Sequence, residues 1–458
     1  MASEALPKIA IAEHLARKIC ALDATKLPPA VRAKCEELVI DVTGLAVTAR
    51  NEDYVQAALS ACDDDGPCTA IGHGRTLSAA AAAIVNGTAI HGEDFDDTFE
   101  GGPIHTGAVV VPAVLAACER HKLSGEAALL GIAVGVETMC RLSTVAPTLT
   151  HKAGFHPTAV FGAVGAAAGV GAALKLDQRR MIDALGTVGS MASGIIEYLA
   201  EGAWTKRLHA GWAAQSGLRA ALLGRAGFTG PRTVFEGVHG FFHAFAHTTK
   251  GDYDAVIGDF GTRWVTETVA FKAYPCGTMT HPYIDCARRL AARGIKPEDV
   301  ADMLCEVGEG TVHRLWEPLE AKQQPANGYA GKFSTPYCIA AGFIRGNVGL
   351  ADFTDAAVRD PQVVALAQKV RYRIDPKNPY PKNFTGHIRA SLRDGTAVEE
   401  RQPYMRGGVQ EPLTRADIEQ KFVLNAGHGG WSAEQAAAVL HALRRLFDRP
   451  VDLAPLRE

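Results

Sequence analysis

The chain has 458 residues, too many for one ordinary domain and enough for two with a large buried core. Apolar residues make up 47% and charged residues 21%, the balance of a globular protein rather than a disordered or fibrous one. A net charge of only −3 gives no basic excess to attract nucleic acid or an anionic membrane.

The opening stretch MASEALPKIAIAEHLARKIC lacks a charged leader followed by an apolar core, so it does not read as a signal peptide. The first 225 residues or so predict helix after helix. Val31 to Ala49 is periodic. Ser124 opens a run through Leu142, with Glu126 in the first turn where the helix dipole favours it. Pro157 to Leu174 is built from Ala and Gly, with Gly165 and Gly169 spaced as GxxxG. A membrane span would be richer in Leu, Ile and Phe, so a buried, closely packed helix is expected. Asp177 is placed to cap Gln178 to Leu185. Abundant alanine lets such helices approach one another, and a dense all-α bundle is the expected outcome.

Near Val269 the character changes. Met303 to Val312 and Val370 to Ile374 predict strands, and His387 to Val398 carries Asp394-Gly395 between two alternating runs, a hairpin signal. Pro282 to Arg293 predicts a helix among them. The tail returns to helix, with Thr414 and Asp417, then Ser432 and Gln435, as capping pairs, and an amphipathic run from Ala433 to Phe447. The expected fold is mainly α: a discontinuous helical domain from 1–268 and 405–458, and a smaller α+β domain from 269–404. The ten cysteines form no CxxC and no zinc or iron–sulfur spacing, so they read as small core residues of a protein in a reducing, cytoplasmic compartment.

The sharpest local signal is His91-Gly-Glu-Asp94-Phe-Asp96-Asp97-Thr98, followed by His105. Acids and imidazoles so close are costly to pack without a purpose, and like charges raise at least one carboxyl pKa. A solvated turn is the bland reading. Metal binding is a second, since Asp and His suit magnesium, manganese or iron. A third is a class I terpene synthase, because Asp96 to Glu100 fits DDxxE; its second magnesium motif is missing downstream, and aromatics are scarce at 7%.

A fourth reading gathers the rest of the chain. The block Asp94-Phe-Asp-Asp-Thr98…His105…Pro112 resembles a signature of the MmgE/PrpD family. So do Gly154-Phe-His156-Pro-Thr-Ala, Lys206-Arg-Leu-His209-Ala-Gly211 with Ala213, Ala214 and Gly217, and Gly227-Phe-Thr-Gly230-Pro231 with Glu236-Gly237. Phe271-Lys272-Ala-Tyr274-Pro275 with Thr280-His281 and Ile284-Asp285, Lys332-Phe-Ser-Thr-Pro-Tyr337, and Pro412-Leu-Thr follow in the same order.

The resemblance implies a helical domain made of both chain ends, an α+β lid, a homodimer and a site between the domains. It implies work without metal, flavin or nicotinamide, on a small carboxylic acid. Known members include 2-methylcitrate dehydratase, cis-aconitate decarboxylase and iminodisuccinate epimerase. In each, a proton or CO₂ leaves from carbon beside a carboxylate or imine, and cations and donors must absorb the developing charge. By resemblance Asp94, His105, His156, Lys206 and Tyr337 are catalytic, and Thr98, Arg207, His209, Lys272 and His281 bind substrate. Histidine, with an ordinary pKa near 6.5, can donate or accept a proton.

Some positions depart from the pattern. Gly277-Thr278 stands where decarboxylases carry a histidine and dehydratases often an arginine. Losing a bidentate cation weakens tricarboxylate binding, which favours a smaller dicarboxylate. The loop Glu100-Gly-Gly-Pro103 is one residue longer than the decarboxylase-like pattern, and Thr106 replaces a proline. His239, His243 and His247 would share a face if helical, in a local structural or pocket-lining role. The expected function is a hydro-lyase, with epimerase or decarboxylase as alternatives and a non-catalytic small-acid binder as the remote one.

Overall fold

The computed structural model describes residues 9–201 and 203–457. The first eight residues of the twenty-residue opening stretch lie outside them. The described chain divides into two compact units. One holds the residues up to Gly92, Asp96–Val269 and those from Thr414 onward; the other holds Glu93–Phe95 and Ala270–Leu413. The fold is mainly α.

The first unit is a helical bundle. Its interior helix is Pro157–Ala173, every residue of which is buried. A helix apolar all round can only sit inside a protein or a membrane, and no helix among the described residues is long and apolar enough to cross a membrane. It packs against Gly125–Ser143 and Thr205–Arg225. The caps anticipated from sequence are made: Ser124 accepts from the Ala127 amide at 3.2 Å and Asp177 from the Arg180 amide at 2.9 Å. Both chain ends build this unit, since Pro29–Ala49 packs on Arg415–His428, tied by Lys421 to the fully buried Asp41 at 2.8 Å. All ten cysteines are free thiols.

Small residues set the helix spacing. Gly87, in the helix Ala79–Gly92, faces Gly211 in Thr205–Arg225, and a Cβ at Gly87 would stand 2.6 Å from the Gly211 Cα and 2.9 Å from the Ala108 carbonyl. Backbone cannot yield as a side chain can, so Gly87→Val is expected to cost about 1–3 kcal/mol through overpacking. A lowered urea or thermal midpoint would show it; an unchanged midpoint would mean the two helices are not in backbone contact.

The second unit carries a four-stranded sheet, in the order Val370–Ile374, Val300–Val307, Gly386–Leu392, Ala397–Gln402. The first two strands pair parallel and the rest antiparallel. The expected hairpin forms around Gly395, whose φ of 88° is the left-handed turn glycine favours. The helices His281–Ala292 and Thr335–Arg345 contribute to its core.

The strand expected at Met303–Val312 starts earlier and ends at Val307, because Glu309–Leu315 is a helix with Thr311 and Leu315 buried at helical spacing. The chain also stays in the second unit to Leu413, beyond the expected 404. Arg406 holds it there, bonded to the Tyr274 hydroxyl at 2.9 Å and Asp285 at 3.3 Å, and the Gly407 carbonyl accepts from the Phe271 amide. The run His239–His247 does not present one helical face. Only Phe241–Ala246 is helical, and His247 turns left-handed at its end with φ 52°.

Candidate active site

Within the first unit four segments converge on a group of imidazoles. His91 ends the helix Ala79–Gly92, and Asp96 and Asp97 follow shortly. His105 precedes the helix Gly107–His121, His156 is the N-cap of Pro157–Ala173, and His209 lies one turn after Lys206 in Thr205–Arg225. The ring centres of His91 and His105 are 4.9 Å apart, those of His91 and His156 5.6 Å, and those of His156 and His209 5.3 Å.

Asp96 is fully buried, with one oxygen 2.7 Å from His91 Nδ1 and the other 3.6 Å from His105 Nδ1. His105 Nδ1 also lies 2.7 Å from the Asp97 carbonyl. A carbonyl only accepts, so Nδ1 carries the proton and neutral His105 keeps a lone pair on Nε2. His156 Nδ1 and His209 Nδ1 are 3.2 Å apart, so one donates and the other accepts. The Tyr198 ring stands edge-on to both.

Asp97 has a different task. It accepts from Thr106 N at 2.8 Å, Thr106 Oγ1 at 2.7 Å and Gly107 N at 2.8 Å, capping the helix Gly107–His121 from outside its own turn. That explains Thr106 where proline was the pattern, because proline offers neither donor. Burial, and then the charge of Asp96, push the Asp97 carboxyl up to about 7, while the three bonds pull it back.

The imidazoles are tuned the other way. Burial holds His156 well below its ordinary value, and His91, Lys206, His209 and His105 add to the effect. His209 is pushed down to about 4, by burial first and then by His91 and Lys206. Both are therefore neutral near pH 7. Half-buried Lys206 puts positive charge beside them, and Arg207 lays its guanidinium 4.2 Å from the centre of the Tyr54 ring.

The second unit holds its own share of the predicted residues. Asp94, left-handed at φ 56°, pairs with Lys272, whose Nζ lies 2.9 Å from the carboxylate and 2.8 Å from the Asp94 carbonyl. Lys332 grips Glu93 in the same way, through its carbonyl at 2.7 Å and its carboxylate. His281 is buried, with Nε2 3.3 Å from the Cys276 carbonyl. Tyr337 is a core residue packed on Phe353, and its hydroxyl donates to the Asp352 carbonyl. Thr98, in the first unit, is buried in a two-residue strand. Gly277 has φ −55°, and a Cβ there would meet nothing closer than 3.4 Å, so its backbone does not demand glycine.

The pair missed in the sequence is Asp96 with His91. The block containing both stood out, but weight fell on Asp94. Asp96, five residues past His91, is bonded to that histidine. Nitrogen and oxygen atoms of His91, Asp96 and His105 lie within 4.8 Å of one another, the span of a metal site. His91 Nδ1 and His105 Nδ1 already serve hydrogen bonds, to Asp96 and to the Asp97 carbonyl, so a cation there would either displace these bonds or take the Nε2 lone pairs.

Comparison with known proteins gives a consistent result. The model of the MmgE/PrpD N-terminal domain matches residues 13–254, and that of the C-terminal domain matches residues 274–445. A cis-aconitate decarboxylase of Aspergillus terreus is 29% identical, over 94% of this chain and 92% of its own. The cis-aconitate decarboxylase of Mus musculus is 30% identical, over 75% of this chain and 71% of its own. The 2-methylcitrate dehydratase-like protein oryR of Aspergillus oryzae is 28% identical over 36% of each chain.

Proposed function

The chain belongs to the MmgE/PrpD family, and from that premise we propose that it is a lyase acting beside a carboxylate of a small di- or tricarboxylic acid, with loss of water as the first reaction to test. One observation carries this reading: burial keeps His156 and His209 neutral next to a lysine. A neutral imidazole near pH 7 is a competent base, and a neighbouring cation can hold the carboxylate on which charge develops.

In that reaction His156 or His105 takes the proton from the carbon next to the carboxylate. The C–H electron pair becomes the new double bond, the C–O bond breaks, and the hydroxyl leaves as water with a proton from Lys206 or from the imidazolium just formed. Lys206 pairs with the substrate carboxylate. His209 shares its proton position with His156 and holds that ring. Asp94 keeps its catalytic role, and Thr98, Arg207, Lys272 and His281 keep their substrate-binding roles, as proposals from the resemblance. Tyr337 is left out, because its hydroxyl is spent inside a core. The resemblance also supports a homodimer that works without metal, flavin or nicotinamide in the cytoplasm, with neither nucleic acid nor membrane as partner.

A second reading is decarboxylation. The relatives covering most of the chain carry that name. There the C–C bond to a carboxylate breaks, CO₂ departs, and an imidazolium of the same cluster protonates the carbon left behind. Glycine at 277, where that branch has histidine, weighs against it.

Chelator-treated protein incubated in D₂O with methylcitrate, citrate, cis-aconitate, malate-like acids and iminodisuccinate, followed by proton NMR, separates the readings. A new alkene signal with release of water establishes the hydro-lyase. Release of CO₂ establishes the decarboxylase. Exchange of a C–H, or a new diastereomer without net loss, indicates an epimerase. No change in any acid would sink the proposal for this substrate class.

A further inference from the structure

We propose that Asp96 and His91 form a fixed carboxylate–imidazole pair that positions His105 and His156 for proton transfer, an inference that rests on the lyase reading above. The argument starts from cost. Asp96 is fully buried beside a second aspartate, and burying a carboxylate among like charge is unfavourable unless it is paired. The helix N-terminus nearby does not stabilise it through these bonds, because the Gly107 amide and both Thr106 donors go to Asp97. Asp96 instead directs one oxygen at His91 and the other at His105.

The pairing fixes a tautomer. His91 Nδ1 must donate to the carboxylate, which leaves the lone pair of neutral His91 on Nε2. In water the proton prefers Nε2, so Asp96 holds the less favoured form. His91 is 1% exposed, and its Nε2 has no hydrogen-bond partner among the described residues. A buried acceptor left so is costly, and folded proteins keep such atoms rarely.

Its place gives the reason. The His91 ring lies against both His105, at 4.9 Å and 50°, and His156, at 5.6 Å and 28°. Asp97, His209, Lys206 and Tyr198 complete the surroundings. When His105 or His156 takes up a substrate proton, the new positive charge forms next to His91, and Asp96 is the buried anion that offsets it. A fixed Nδ1–H tautomer leaves His91 able to accept from its neighbours through Nε2. His91 and Asp96 are positioning residues here, acting through the other two rings.

The test uses full-length protein carrying ¹⁵N-histidine, with the His91 signals assigned by their loss in His91→Gln. The wild type is expected to show His91 protonated on Nδ1 and bare on Nε2. In Asp96→Asn, kcat on whichever acid of the panel is turned over should fall by about 10- to 100-fold, with KM within about twofold. Asp96→Glu should recover part of the loss. His91 protonated on Nε2 in the wild type, or full kcat in Asp96→Asn, overturns the proposal. If Asp96→Asn does not fold, the wild-type tautomer still decides. If the wild type turns over no acid while His91 shows the Nδ1–H form, the lyase reading fails and the pair itself stands.

Discussion

Replacing His156 by alanine is expected to lower turnover by about 10²- to 10⁴-fold, the range that a positioned general base contributes. The ring is buried at the N-cap of the interior helix, 3.2 Å from His209 through nitrogen and stacked on His91. Its removal takes away a proton acceptor and leaves His209 without that partner. The helix itself should survive, because Pro157 at its first turn and the buried alanines and valines behind it do not depend on the imidazole. A circular-dichroism melt within a few degrees of the wild type, alongside the loss of rate, would separate chemistry from folding. Retention of full turnover would remove His156 from the mechanism.

The same residue sets the sign of the pH dependence. A base works when neutral, and burial holds the His156 pKa well below its ordinary value. Protonation therefore silences it only at lower pH than for a free imidazole. The acid limb of kcat/KM should fall below about pH 6.5, the value of unperturbed histidine. His209, pushed down to about 4, stays neutral over the same range and adds no limb near neutrality. An acid limb above pH 7 would mean that a different group is the base.

How much of this was legible beforehand depends on the range of the interaction. Caps are local, and Ser124, Asp177, Thr414 and Ser432 all cap the helices read from their spacing. The hairpin at Asp394-Gly395 is equally local. The failures are long-range. Nothing near residue 404 announces that Arg406 reaches back to Tyr274 and Asp285 and holds the chain in the second unit. The condition attached to His239, His243 and His247, a shared face if helical, is not met, because the helix starts after Gly240 and ends at Ala246. Within the acidic block, three aspartates look alike in sequence. Folding gives Asp94 a lysine, Asp96 two imidazoles and Asp97 a helix N-terminus.

Arg141→Ala is expected to destabilise the first unit by about 3–5 kcal/mol, the cost of breaking a buried ion pair from one side. Arg141 is 2% exposed, and four of its five N–H donors make hydrogen bonds among the described residues. Nε meets Glu137 at 2.6 Å, one terminal nitrogen meets Asp259 at 2.6 Å and the Ala255 carbonyl at 2.8 Å, and the other meets the Arg263 carbonyl at 2.8 Å. Glu137 in turn accepts from the Thr266 amide and hydroxyl and from the Val265 amide. Alanine would leave that fully buried carboxylate without its cation and free two carbonyls that anchor the 254–268 segment. An exposed pair would lose at most about 1 kcal/mol, because water replaces the partner. Here Asp259 is 41% exposed, but the Glu137 carboxylate is fully buried and water cannot reach it without opening the packing. The loss should be read from the urea midpoint, and the double change Arg141→Met with Glu137→Gln should recover part of it by removing both charges together. A loss below about 1 kcal/mol would place the pair with the exposed kind. The effect also bears on the site. Arg141 lies on the helix Gly125–Ser143, which packs along the helix that His156 caps. Loosening the first should cost the imidazole cluster its geometry before the chain unfolds, so turnover in Arg141→Ala should fall at temperatures where circular dichroism still reports a folded protein.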